Sequence, residues 1–205
     1  MTNRSSAIIW LAVLSCMLTM TFVAFAAEIS DIVTIFLMLP VALVVFVLFL
    51  VSGIWSIVHI FRKSRFRKAR AYMPFAVHVL TIAVVATVPF TEIKTDLNYR
   101  RYMEKRMAVI AKVGAGELKP AEDDENELIE LPREFRRVSH TGYISVARNG
   151  DALRVMFYFR RGMLGHFCGF MYSSDDQPPE QHQFDGEYTQ KLRLEPNWFW
   201  VSAGG

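Results

Sequence analysis

Between Ile32 and Phe61 the chain reads IVTIFLMLPVALVVFVLFLVSGIWSIVHIF, 30 residues without a charged side chain. A helix needs about 20 apolar residues to cross a hydrocarbon core roughly 30 Å thick. At about 1.5 Å per residue this run would reach about 45 Å, so it must tilt, kink or emerge at the interface. Pro40 is the expected kink, and Trp55 and His59 suit an interfacial last turn. Upstream, Ala7–Ala27 (AIIWLAVLSCMLTMTFVAFAA) adds 21 uncharged residues, and downstream Tyr72–Phe90 adds 19, with Pro74, His78 and Pro89 inside it. Each run qualifies as a span. The pattern predicts an α+β membrane protein with three N-terminal transmembrane helices (about 7–27, 32–61 and 72–90) followed by a small antiparallel β-meander domain.

Charge divides the chain at the same place. The first 91 residues carry seven Lys/Arg against two acids, and the remainder sixteen against eighteen, so the overall +3 comes from one basic cluster. A nucleic-acid partner is therefore not implied by the basic pI. That cluster is Arg62, Lys63, Arg65, Arg67, Lys68 and Arg70, all in the loop after the second run, whereas the loop Glu28–Asp31 has no Lys or Arg. Short Lys/Arg-rich loops stay in the cytoplasm. These six residues are the expected topology determinants: N-terminus inside, basic loop inside, everything after Phe90 outside, in a bacterial inner membrane. Lys94, Arg100, Arg101, Lys105 and Arg106 follow the third run closely and oppose this, but the contrast between the two loops carries more weight. Arg4, a long apolar stretch and Ala24-Phe25-Ala26 also resemble a signal peptide, although the stretch exceeds the usual ~7–15 residues. Cleaved or retained, the expected side of the C-terminal domain is the same.

No Asp, Glu, Lys or Arg lies inside a span, which argues against a pump or transporter. His59 and His78 are expected at the cytoplasmic ends of neighbouring helices, snorkelling toward water or, less simply, forming a metal or proton site. Ala12, Ser15, Cys16 and Thr19 form one small-residue face, and Ala76, Ala83 and Thr87 another, both suited to close helix packing.

Residues 92–132 are expected to form a juxtamembrane helix and then an acidic linker. Thr91–Val113 holds helix formers with Ile93, Leu97, Met107 and Ile110 at loosely helical spacing. Gly114-Ala115-Gly116, Pro120 and the acids Glu122, Asp123, Asp124, Glu125 and Glu127 then read as a hydrated spacer. From 133 to 205 the period changes to that of a soluble antiparallel β-domain. Asn149-Gly150 is a type I′ hairpin signal between strands Tyr143–Ala147 and Leu153–Arg161. Further strands are expected at His166–Ser173, Glu187–Leu194 and Trp198–Ser202, five in all. Tyr143, Phe157, Phe159, Phe167, Phe170, Trp198 and Trp200 must supply much of a thin core.

The search for chemistry yields no catalytic or cofactor-binding residues. There is no G-x-S-x-G, H-E-x-x-H or C-x-x-C, and Gly114-Ala115-Gly116 lacks the third glycine of a dinucleotide loop. Cys16 and Cys168 lie in different regions and do not suggest a disulfide framework. Met163, His166, Cys168 and Met171 are soft ligands that suit Cu(I), but strand alternation would split them between faces. Asp175, Asp176, Glu180 and Asp185 could hold a hard cation, though their spacing matches no EF-hand loop. Turn chemistry explains them as well. The expectation is no metal and no cofactor. The function expected from this is non-enzymatic: a membrane-anchored extracytoplasmic module that contacts lipid and binds another envelope protein, as an accessory subunit or a toxin-immunity protein. The alternatives are a membrane enzyme subunit using His166 or His182 with the acidic loop, or a ligand or metal sensor signalling through the spans.

Overall fold

The computed structural model describes residues 2–26, 29, 35–63, 72–120, 128–162, 166–181 and 183–204. Among the described residues the protein is α+β, four α-helices followed by an antiparallel sheet. It divides into two compact units, Met1–Glu92 and Ile93–Gly205. The helices are α1 (Thr2–Ala24), α2 (Ile35–Lys63), α3 (Met73–Thr87) and α4 (Phe90–Gly114). Arg65, Arg67, Lys68, Arg70 and the acids of 122–127 lie outside the described residues; Arg62 and Lys63 close α2.

In the first unit α1, α2 and α3 pack against one another. Among the described residues two helices are long and apolar enough to cross a membrane, or up to three if α3 and α4 count as one broken span. The third apolar run is interrupted where proline chemistry demands it. Val88 is extended (φ −88°, ψ 116°), because the ring of Pro89 disfavours the helical region for the residue before it. That leaves α3 at 15 residues, or about 22 Å, with Pro74 at its start where a missing N–H costs nothing. By contrast α2 is continuous through Pro40.

The inside of this unit is more polar than its outside. Ser15 and Cys16 of α1, Ser52, Ser56 and His59 of α2, and His78 and Thr81 of α3 are buried, while Trp10, Leu14, Leu39, Leu43, Phe46 and Leu80 are exposed. A bundle in water has the opposite arrangement; this one suits hydrocarbon. The expected small face on α1 is confirmed by burial of Ala12, Ser15 and Cys16. The one expected on α3 is not: Ala76, Ala83 and Thr87 are exposed, and Pro74, His78 and Thr81 face inward instead. The two histidines are buried rather than snorkelling.

In the second unit six strands, all antiparallel, make one sheet: β1 (Leu128–Glu130), β2 (Tyr143–Asn149), β3 (Ala152–Arg161), β4 (Phe167–Ser173), β5 (Glu187–Glu195) and β6 (Trp198–Gly204). The three residues of β1 are too short to carry a readable alternation. The order β1-β2-β3-β4-β6-β5 departs from the expected meander at one point. After β4 the chain crosses to the far edge as β5 and returns as β6 beside β4. The β2–β3 turn is also one residue off. Asn149 pairs with Ala152, so Gly150 and Asp151 are the central pair. Only Gly150 has a positive φ (+59°), the pattern of a II′ rather than a I′ turn.

Alternation along the strands builds a core on each face. On one, Ile144, Val155, Phe157, Phe170 and Trp198 pack with Tyr99, Val109 and Val113 of α4. On the other, Met156, Phe167, Met171, Phe199 and Val201 pack with Phe184 of the 174–186 segment. The sheet is therefore closed on both sides, which answers the thin-core problem that the aromatics alone posed.

Arg106 pins the helix to its face. Its guanidinium is 1% exposed and stacks on the Phe170 ring, 4.3 Å from the centroid. It donates to the carbonyls of Val138 (3.3 Å) and Tyr99 (3.2 Å) and to Asn98 Oδ1 (2.6 Å). These acceptors are neutral. Burial pulls the guanidinium down to about 10, against the favourable field of Tyr99 and Tyr102. A planar fork reaches these divergent acceptors; a single ammonium does not. Arg106→Lys should therefore cost nearly as much as Arg106→Ala, about 3 kcal/mol, from stranded buried acceptors and lost packing. Urea unfolding of the full-length protein in detergent, followed by tryptophan fluorescence, checks this. Wild-type stability in the lysine variant would refute the role assigned to the fork.

Candidate functional site

Two clusters of polar side chains are built into the fold, one in each unit. The first is a seam where α1, α2 and α3 meet. Ser15 Oγ lies 2.6 Å from Ser52 Oγ, which lies 2.8 Å from His78 Nε2. His78 Nδ1 lies 2.8 Å from the Pro74 carbonyl oxygen one turn back. Gly53 lies against the ring: a Cβ there would stand at ordinary van der Waals distance, 3.5 Å, from His78 Cδ2. The Phe49 ring lies 4.9 Å away on the same helix as Ser52. Ser56 bonds the Ser52 carbonyl at 2.8 Å. Ser52, Ser56 and His59 share one face of α2 at helical spacing. His59 also lines a 740 Å³ groove between the start of α1 and the end of α2, with Ala7, Leu11, Ile54, Trp55 and Val58.

The second cluster is a strap, residues 174–186, drawn across the face of the sheet opposite α4. Arg154 on β3 is its clasp, 5% exposed, donating to Gln183 Oε1 (3.0 Å), Glu180 Oε1 (3.3 Å) and Asp175 Oδ2 (3.4 Å). Asp175 also accepts from the Ser173 hydroxyl. Asp176 pairs with Arg193 and accepts from the Asn197 amide at 2.7 Å. Lys191 Nζ donates to the Pro179 carbonyl (2.8 Å), and the Tyr188 hydroxyl to that of Gln183 (2.9 Å). Burial, and after it the Tyr158 phenol, push Tyr188 well above its ordinary range, so it remains a donor. Phe184 sits at φ +57°, a strained conformation for a bulky residue, and its ring covers the core beneath the strap.

The residues singled out in the sequence fall as follows. Asp175 and Asp176 face arginines and backbone or hydroxyl donors, not one another as ligands would. Cys168 is half-buried on the α4 side, while Met171 is fully buried on the strap side, so alternation separates them. The His166 ring lies near Gly204. Met163 and His182 lie outside the described residues, and nothing is described of the Asp185 side chain. Among the described residues no three His, Cys, Asp or Glu side chains converge as a metal cluster. The serine–histidine seam was not foreseen as a unit. Its signal was present in the spacing of Ser52, Ser56 and His59 and in the depth of Ser15 within its run.

The chain matches no known protein-family model, and neither the curated proteins nor the solved structures contain a significant match to it. Function has to be argued from these residues.

The Ser173 hydroxyl, ahead of other donors and Arg154, holds the Asp175 carboxyl below the ordinary carboxylate range near pH 3.9. A depressed folded value means the clasp is intact above that range and is lost as the pH falls through the lower, folded value. Acid should therefore loosen the strap before the sheet unfolds. Hydrogen exchange should show faster exchange of 174–186 below about pH 4, with Asp175→Asn showing it already at neutral pH. Equal protection of the strap in both proteins at neutral pH would exclude Asp175 as its latch.

Proposed function

We propose that this is a membrane-anchored accessory protein whose second unit is displayed outside the cytoplasm and receives an extended segment of another envelope protein along β5. Three crossings, with the N-terminus and the 62–70 loop in the cytoplasm of a bacterial inner membrane, are part of this reading. The apolar exterior of the first unit supports the membrane part, and the six basic residues of one loop support the orientation. An accessory subunit of an envelope machine and an immunity protein against a membrane-directed toxin are both instances of it.

The observation that carries the binding step is the state of β5. This nine-residue strand is at the edge of the sheet, hydrogen-bonded on one side to β6. Bulges interrupt its pairing between Tyr188 and Gln190 and between Arg193 and Glu195, leaving Gln190–Arg193 in regular register. Charged side chains usually blunt such an edge. Here Lys191 and Arg193 are engaged by the strap through Pro179 and Asp176. Leu192 points to the opposite face, 53% exposed beside Trp200. A free run of backbone with an apolar side chain beside it suits strand addition, in which main-chain bonds give affinity and alternate side chains give selectivity.

A photo-crosslinking residue at Leu192 in the membrane-embedded protein should give one discrete adduct. The same residue at exposed Arg133, away from the edge, should give none. Gln190→Pro, which removes a backbone donor from β5, should abolish the Leu192 adduct. No adduct at Leu192, or the same products at both positions, would rule out the edge as the docking site.

A further inference from the structure

The serine–histidine seam buries an ionisable ring inside an apolar bundle, and such residues are costly unless they have a task. Resting on the membrane reading of the first unit, we propose that His78 is a proton-binding site within the bilayer, loaded through the groove at His59. The proton would come from the side of the membrane where α1 begins and α2 ends.

The hydrogen bonds fix how the ring works. The Pro74 oxygen only accepts, so Nδ1 carries a hydrogen in every state. Nε2 is then an acceptor in the neutral ring and a donor in the cation. Ser52 serves both. With the ring neutral, the Ser52 hydroxyl donates to Nε2 while accepting from Ser15. With the ring charged, Nε2–H donates to Ser52, whose own hydrogen turns to the Phe49 carbonyl, 3.0 Å away. The Ala12 carbonyl, 3.0 Å from Ser15 Oγ, gives that hydroxyl a second acceptor. Both protonation states are satisfied by rotating hydroxyl hydrogens, with no heavy atom displaced.

The surroundings suit a lone proton. The titratable groups facing the seam from the packed helices are the Cys16 thiol of α1 and the His59 ring of α2. Within Ala7–Ala24, Leu37–Phe61 and Met73–Thr87 the third adds His78 alone and none holds an acid, Lys or Arg; Arg4 near the start of α1 and Arg62 and Lys63 at the end of α2 lie outside these segments. Glu92 lies at the other end of the unit, beside Val23 and Val85. Ser52 is seven residues from His59, about 10 Å along the helix, with buried Ser56 between them. The groove ends at His59, and buried Ser56 and Ser52 lie between it and the ring on one face of α2. A hydronium arriving there gives one proton to Nε2 and leaves as water; no other bond changes and nothing is oxidised or reduced.

The test uses the full-length protein in lipid vesicles with ¹⁵N-labelled histidine rings, the His78 signals being those lost in His78→Gln. At alkaline pH the ring should be the Nδ1–H tautomer, and acidification should add a second proton while the helices stay folded. His59→Phe, which keeps a ring in the groove but removes its nitrogens, should slow proton exchange at Nε2 by about tenfold, the scale of a 1.4 kcal/mol barrier. An Nε2–H tautomer at alkaline pH, or a ring that stays singly protonated at every pH at which the bundle is folded, overturns the site. Unchanged exchange in His59→Phe overturns the route. Carbonate extraction of the same vesicles separates the failures. A protein that washes off fails the membrane reading and this proposal together, whereas one that stays and shows the wrong tautomer fails this proposal alone.

Discussion

An apolar exterior around a polar seam is the constraint on which the rest of this structure depends. In hydrocarbon there is no hydrophobic drive to press helices together, since lipid tails are as apolar as leucine. What remains is close packing of small residues and hydrogen bonds between helices. The first unit has both: Ala12 is fully buried between helices, and Ser15, Ser52 and His78 join three helices in one chain of bonds. Interhelical bonds of this kind are worth about 1 kcal/mol each, enough to select one register among many similar ones.

The second unit solves a different problem, covering both faces of a sheet with little more than 110 residues. Its answer is to use both faces. Helix α4 closes one and the strap the other, and each closure is fixed by a buried arginine, Arg106 and Arg154. The two are not alike. Arg106 gives its hydrogens to neutral oxygens and aromatic faces, so its environment changes little with pH until the guanidinium itself titrates near 10. Arg154 holds carboxylates, so its closure depends on their charge. One closure rests on neutral acceptors, and the other on carboxylates that acid would neutralise.

Much of this was legible in the sequence. The apolar runs and the change of period after Leu131 follow from local rules of length and alternation; the break before Pro89, inside a run read as one span, did not stand out. The other failures share a cause: each depended on a partner distant in the chain. Ala76 and Ala83 looked like a packing face until Ser52 and Phe49 drew the His78 side of α3 inward. The meander failed because the strap carries the chain past β4 to a far edge, a choice made by Arg154 and Asn197 rather than by turn residues. The turn at Gly150 slipped by one because Asn149 gained a ladder partner in Ala152. Arg106 was counted as one of several basic residues following a span, since nothing local marks an arginine whose acceptors include a carbonyl 32 positions on.

The docking proposal rests on the side of the membrane each segment occupies, and the same orientation decides which compartment loads His78. The edge strand meets an envelope partner only if the sheet is outside, and the groove at His59 is loaded from the cytoplasm only if the basic loop is inside. Reporter fusions decide this directly: an alkaline phosphatase, active only outside, and a fluorescent protein, bright only inside, joined after Arg70 and after Gly205. The account predicts fluorescence without phosphatase activity at Arg70, and the reverse at Gly205. Phosphatase activity at Arg70, or fluorescence at Gly205, would contradict it.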